Sequence, residues 1–204
     1  MKKGFTLVEM LVVIGIIAAL IAASLVGYSS MLASAERTKA QELVSNVATA
    51  LTAIFDADGI WPKSLRTNGG TGGPLDENAA YVLGSRGYLS LTRDDSNKKL
   101  AGVDRFGIVT PWATAVIKNR GSSASLSTIV SGDKTIKDHQ LQYAIDLDGD
   151  GIINDVSVGG ESISVRATAI VWCAGKDGKM EAYSKGLKSD DVYSWNVGQT
   201  RNVK

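Results

Sequence analysis

From Met10 to Ala35 no side chain is charged, and Glu9 is the only charge between Lys3 and Glu36. Met10–Val26 is apolar apart from Gly15 and Ser24. A helix rises about 1.5 Å per residue, so residues 10–35 are long enough to cross a hydrocarbon layer of about 30 Å. Lys2 and Lys3 precede the run, and the positive-inside tendency then leaves the N-terminus cytoplasmic and sends the rest outward. A carboxylate in such a segment costs about 2.5–3.5 kcal/mol on insertion scales. The dipole of a helix start returns only about 0.3–1 kcal/mol, too little to offset that burial. Glu9 therefore calls for a cationic partner.

The helical pattern continues past the apolar block. Leu32, Glu36, Ala40, Leu43, Val44, Val47, Leu51, Ile54 and Phe55 follow the three-or-four spacing of a single buried stripe. No Gly or Pro falls between Tyr28 and Asp58. An apolar helix running into an amphipathic one is expected, about 75 Å long at the same rise. Asp56–Gly59 and Pro62 end it, by turn chemistry and by the missing proline amide.

Gly4-Phe5-Thr6-Leu7-Val8-Glu9 resembles the type III signal of the type IV pilin superfamily, which includes the pseudopilins of type II secretion. The resemblance implies cleavage between Gly4 and Phe5 by a prepilin peptidase and N-methylation of Phe5. It also implies packing of the N-terminal helices into a filament core, with Glu9 near the Phe5 amine of an adjacent subunit. One such ion pair neutralises two buried charges and selects axial register. The implied organisation is a leader at 1–4, a transmembrane or filament-core helix at 5–26, an amphipathic helix at 27–58 and a globular pilin-like β domain at 59–204. The fold class expected is α+β, a long N-terminal helix packed on a small antiparallel sheet.

Composition sets limits on the rest. A chain of 204 residues suits one globular unit plus the helix. The formal net charge of +1 offers no electrostatic case for nucleic acid. The one cysteine, Cys173, rules out an intrachain disulfide and lies in the apolar run Ala167–Cys173, as an inert core residue would. Trp61, Trp112, Trp172 and Trp195 read as packing residues rather than ligand platforms. Thr67–Pro74 has loop composition, Glu77–Leu83 reads as a short helix, and Asn119–Lys137 as a surface excursion. Strand candidates are Ala113–Ile117, Gln140–Asp146, Ile163–Cys173 and Met180–Tyr183. Asp104–Trp112 is loosely similar to the stretch that opens the sheet in major pseudopilins.

Two acidic loops are candidate calcium sites. In Asp146-Leu-Asp-Gly-Asp-Gly-Ile-Ile-Asn-Asp155, the residues Asp146, Asp148 and Asp150 take places one, three and five of an EF-hand-like loop. Gly151 makes the sharp turn and Ile152 offers its carbonyl. Closely spaced hard oxygens suit Ca²⁺ better than zinc. Ser157 stands at place twelve instead of the bidentate Glu, leaving Asn154 and Asp155, or Glu161, to complete the shell. The alternative is a plain Asp/Gly-rich turn. The second candidate rests on resemblance. Ala174–Gly178 with Ser189–Asn196 is similar to the C-terminal calcium loop of the major pseudopilin. That likeness implies Asp190 and Asp191 as side-chain ligands, Ser189 and Val192 as further oxygen donors, and Asp177 as an additional candidate. The role implied for calcium is structural.

His139 is the only histidine and is read as a surface residue. No Gly-x-Ser-x-Gly, phosphate loop or dinucleotide fingerprint occurs, so an enzyme is not expected. The function expected is a structural filament subunit, a major pseudopilin of a type II secretion system that drives protein export. A type IV pilin for adhesion or motility stays open. So do a secreted calcium-binding module cut near Ala35 and a single-pass monomer. The partners implied are further copies of the chain, the prepilin peptidase, an inner-membrane assembly platform, minor pseudopilins, and lipid around the monomer. The place implied is the bacterial inner membrane, with the globular part in the periplasm and the filament periplasmic or extracellular.

Overall fold

The computed structural model describes residues 7–89, 93–94, 99–100, 103–104, 107–108, 110–112 and 138–195. Two compact units are present, Met1–Thr38 and Lys39–Lys204. Helix α1 (Leu7–Asp58) contributes to both. In the first unit its described large apolar side chains are exposed, Leu11 by 60% and Leu20 by 62%. Among the described residues no helix is long and apolar enough to cross a membrane. The apolar run read from the sequence includes residues 23–27, whose side chains lie outside the described set.

In the second unit the amphipathic stripe does what its spacing predicts. Ala40, Val44, Val47, Leu51 and Ile54 are fully buried, while Leu43 and Phe55 are partly so. Leu32, the expected head of the stripe, is 45% exposed. Gly59, with φ +68°, closes the helix by donating its N–H to the Phe55 carbonyl, a left-handed end that glycine adopts most cheaply.

Pro62 then starts α2 (Lys63–Gly69), a helix that loop-like composition concealed. Its last residue is buried so tightly that an added Cβ would lie 2.7 Å from Ile145 Cγ1. Strand β1 (Gly73–Pro74) leads to α3 (Glu77–Ser85), the expected short helix, capped where Asp76 Oδ1 accepts the Ala79 N–H. Four two-residue strands follow as antiparallel pairs: β2 (Arg93–Asp94) with β3 (Lys99–Leu100), and β4 (Val103–Asp104) with β5 (Gly107–Ile108). The strand expected at Ala113–Ile117 and the excursion at Asn119–Lys137 lie outside the described residues.

Next come β6 (Gln142–Ile145), β7 (Ile153–Val158), β8 (Glu161–Val165), β9 (Ala169–Cys173), the 3₁₀ turn Tyr183–Lys188, and β10 (Val192–Tyr193). The main sheet is antiparallel in the order β1-β6-β9-β10. Strands β7 and β8 form a separate hairpin. The apolar run Ile163–Cys173 is therefore two strands, broken at Arg166–Thr168, where the Thr168 carbonyl accepts the Asp146 N–H. Met180–Tyr183 forms no strand and leads into the 3₁₀ turn.

The core follows from β9, which is buried at all five residues. Successive side chains of a strand point to opposite faces. Ala169, Val171 and Cys173 join the cluster built on the α1 stripe. Ile170 and Trp172 join Ile153, Val156, Val158 and Val165 of the hairpin. The sheet is thus covered on both faces, by helix on one and hairpin on the other. The architecture is α+β, a long N-terminal helix with a small antiparallel sheet.

Candidate functional site

The turn after β6 gathers Asp146, Asp148 and Asp150, each with an oxygen within 4.8 Å of the others. Asp146 is buried and accepts the Gly149 and Gly151 N–H groups, one on each oxygen, at 2.8 Å. Those bonds need the left-handed backbone of Gly149 (φ +78°) and Gly151 (φ +81°). The Ile152 N–H donates to Asp150 Oδ1 at 2.7 Å. Below the turn the Trp61 indole N–H donates to the Asp146 carbonyl, and its ring stacks on Phe55 at 4.9 Å. The carboxyl of Asp148 is held above its ordinary range, first by its hydrogen bond with Asp146 and then by the charge of Asp150. The three carboxylates offer crowded hard oxygens, the donor type that calcium takes, with both oxygens of Asp146 also accepting main-chain N–H groups.

Asp155 is not among that group, and it and Asn154 are exposed residues on β7. Asp155, with φ +55°, sits in the irregularity between Ile153 and Val156, and its Oδ1 accepts the Ser162 hydroxyl. Glu161 is turned away to the 3₁₀ segment, where its oxygens accept Ser184 N–H at 2.7 Å and Ser184 Oγ–H at 2.6 Å. Those bonds hold its carboxyl below the ordinary glutamate range.

The C-terminal loop is arranged differently. Asp191, 4% exposed, accepts Gly175 N–H on Oδ1 at 3.1 Å and Glu181 N–H on Oδ2 at 2.9 Å. The Tyr193 hydroxyl adds a bond to Oδ2 at 3.3 Å. Burial raises the Asp191 carboxyl, against the pull of these hydrogen bonds. Asp190 Oδ2 accepts Lys176 N–H at 2.8 Å, and Asp177 Oδ1 accepts Lys179 N–H at 2.9 Å. Ser189 Oγ accepts the Asp191 N–H, and Val192 pairs with Cys173 in the sheet. The structure brings these residues to one loop, with their oxygens turned to main-chain N–H groups.

Gly4 and Phe5 lie outside the described residues, and Glu9 is exposed in the first turn of α1. His139 corrects the surface assignment, being 2% exposed. Its ring packs where Gly178 lacks a Cβ (3.2 Å to Nε2), and Thr110 N–H holds its carbonyl. No sequence signal marked it, because both contacts come from residues distant along the chain. Cys173 is fully buried, and burial pushes its thiol up to about 12. All four tryptophans pack as expected, Trp61, Trp112 and Trp172 buried and Trp195 edge-on to Trp172 at 5.9 Å. A groove of about 360 Å³ runs along Ser45, Thr49, Thr52 and Asp56 of α1 to Ala169 and Trp195.

Against known proteins, residues 1–25 match the family described as the prokaryotic N-terminal methylation motif. The chain is 31% identical over 107 residues to a type IV major pilin protein, PilE1, of Neisseria gonorrhoeae, covering 50% of this chain and 59% of that protein. It is 32% identical over 100 residues to a fimbrial protein of Neisseria meningitidis, covering 48% and 58%. It is also 32% identical over 98 residues to the fimbrial protein EcpC of Eikenella corrodens, covering 45% and 62%. The chain thus spans less than two thirds of the length of these relatives. No solved structure matches it. The matched motif spans Gly4–Glu9, the residues that carry the resemblance to the type IV pilin superfamily, and the Neisseria gonorrhoeae relative is by name a type IV major pilin. Closeness to the major pseudopilin is not among these findings.

Proposed function

We propose that the chain is a structural subunit of a type IV pilus-like filament. The observation that carries this reading is the methylation motif over residues 1–25, on a chain whose relatives are pilins and fimbrial proteins. The prepilin peptidase cuts between Gly4 and Phe5, and the new Phe5 amine is methylated. The apolar half of α1 then holds the monomer in the inner membrane and packs into the filament core. Glu9 meets the Phe5 amine of a neighbouring copy, which places two opposite charges in a medium where their attraction is strong. The Lys39–Lys204 unit coats the outside. Mass spectrometry of the exported protein tests processing: a methylated phenylalanine at the N-terminus supports it, and a retained leader or a start near Glu36 sinks it. Glu9→Ala is expected to abolish filaments while membrane insertion persists.

A pseudopilin of type II secretion is the second reading. It is favoured by the likeness of the C-terminal loop to the pseudopilin loop and by its closure at the sheet edge, where Gly175 N–H donates to Asp191 and Lys176 N–H to Asp190. Deleting the chain would then stop export of a secreted protein without removing surface pili. Either reading takes Ca²⁺ at the Asp146–Asp150 turn, held by those three carboxylates, as a structural ion that relieves their repulsion. Calcium should slow amide exchange at Gly149 and Gly151, and an unchanged rate would remove the ion from the proposal.

A further inference from the structure

We propose that the loop between β9 and β10 is locked by the carboxylates of Asp190 and Asp191 acting as main-chain anchors, and holds its form without metal. The family resemblance assigns calcium to this loop, and the residues present do not fit it. A calcium shell needs about six to eight oxygens converging on one point. Here Asp191 faces two N–H groups and a hydroxyl, Asp190 and Asp177 each face an N–H, and Ser189 caps Asp191. Main-chain N–H groups also hold Asp146 in the earlier turn, but there Asp148 and Asp150 each bring an oxygen within 4.8 Å, and among the described residues no such set of three forms at Asp177, Asp190 and Asp191.

The anchoring groups are well placed to substitute for a cation. The N–H donors of Gly175 and Lys176 stand where the chain leaves β9, and that of Glu181 stands before the 3₁₀ turn. Two adjacent carboxylates just before β10 therefore tie together the exit, the middle and the return of one loop. Hydrogen bonds to an ionised oxygen are roughly twice as strong as neutral ones. Fit is enforced at Gly175, where an added Cβ would lie 2.1 Å from Asp190 Cγ. Only a residue without a side chain lets that carboxylate approach. This inference is independent of the filament reading, since it concerns one loop of the Lys39–Lys204 unit.

Hydrogen exchange on the full chain in detergent tests it. The amides of Gly175, Lys176 and Glu181 should exchange at the same rate with calcium chloride as with EGTA. Asp191→Asn should speed Gly175 and Glu181 by about tenfold or more, the loss of a charged acceptor. Asp190→Asn should do the same at Lys176 alone. Release of these amides by chelator in the unsubstituted protein would overturn the inference, as would full protection in Asp191→Asn. If Asp191→Asn does not fold, Asp190→Asn and the two solutions still decide.

Discussion

Leucine to alanine on a single helix should have opposite consequences at its two ends. Leu51 is fully buried in the cluster shared with the sheet, whereas Leu11 on the same helix is 60% exposed. Leu51→Ala removes three buried carbons and leaves space that the packed stripe around Val47 and Ile54 fills only in part. Burial of this kind is worth about 3–5 kcal/mol, and alanine's better helix propensity returns only a few tenths. For a chain of this size that is a fall of about 6–20 °C in the unfolding midpoint. Leu11→Ala should lie within about 0.5 kcal/mol of the unsubstituted protein. Urea titration in detergent, followed by tryptophan emission, reads the difference, because Trp61, Trp112 and Trp172 are at most 5% exposed when folded. Equal shifts for the two variants, or a loss below about 1 kcal/mol at Leu51, would refute the division of α1 into a packed and an unpacked half.

Trp61→Phe should keep the stack on Phe55 yet leave the Asp146 carbonyl without its indole donor, costing about 1–3 kcal/mol in the same titration. Gly159→Ala should destabilise by at least about 1 kcal/mol, because φ is +56° there and the new Cβ would lie 1.9 Å from the Glu181 carbonyl oxygen; a midpoint at or above that of the unsubstituted protein would refute this. His139 is held below its ordinary value of 6.5 by burial, against the weaker opposite pull of Asp138, Asp177 and Asp190. Its share of stability is complete above that value and is lost as pH falls through the lowered one, because the unfolded chain takes up the proton first. Thermal midpoints should therefore drop from about pH 7 to about pH 5, less steeply in His139→Gln, and parallel curves would count against it. Asp191, raised by burial, works in the other direction in more acidic solution.

The α1 stripe was legible because a 3.6-residue period survives in a single sequence, and the structure buries Val44, Val47, Leu51 and Ile54 on it. The acidic turn was legible for a similar reason, since its three carboxylates are close in the chain and remain close in space. Harder to see were features made by distant partners. The strand break at Arg166–Thr168 depends on Asp146, and α2 hides behind the glycine and threonine of Thr67–Pro74. The β7–β8 hairpin turns on Gly159 and Gly160, with φ of +56° and +84°, while its strands look like the tail of a metal loop. The C-terminal acids were visible as residues. Their orientation was not, because it is set by N–H groups up to 16 positions away.

The single sulfhydryl has a practical consequence. Sealed at 0% exposure and with its ionisation pushed up to about 12, Cys173 offers almost no thiolate to maleimide or iodoacetamide in the native state. A cysteine introduced at exposed Tyr81 or Leu147 can then carry a spectroscopic probe alone, with the natural thiol left in place.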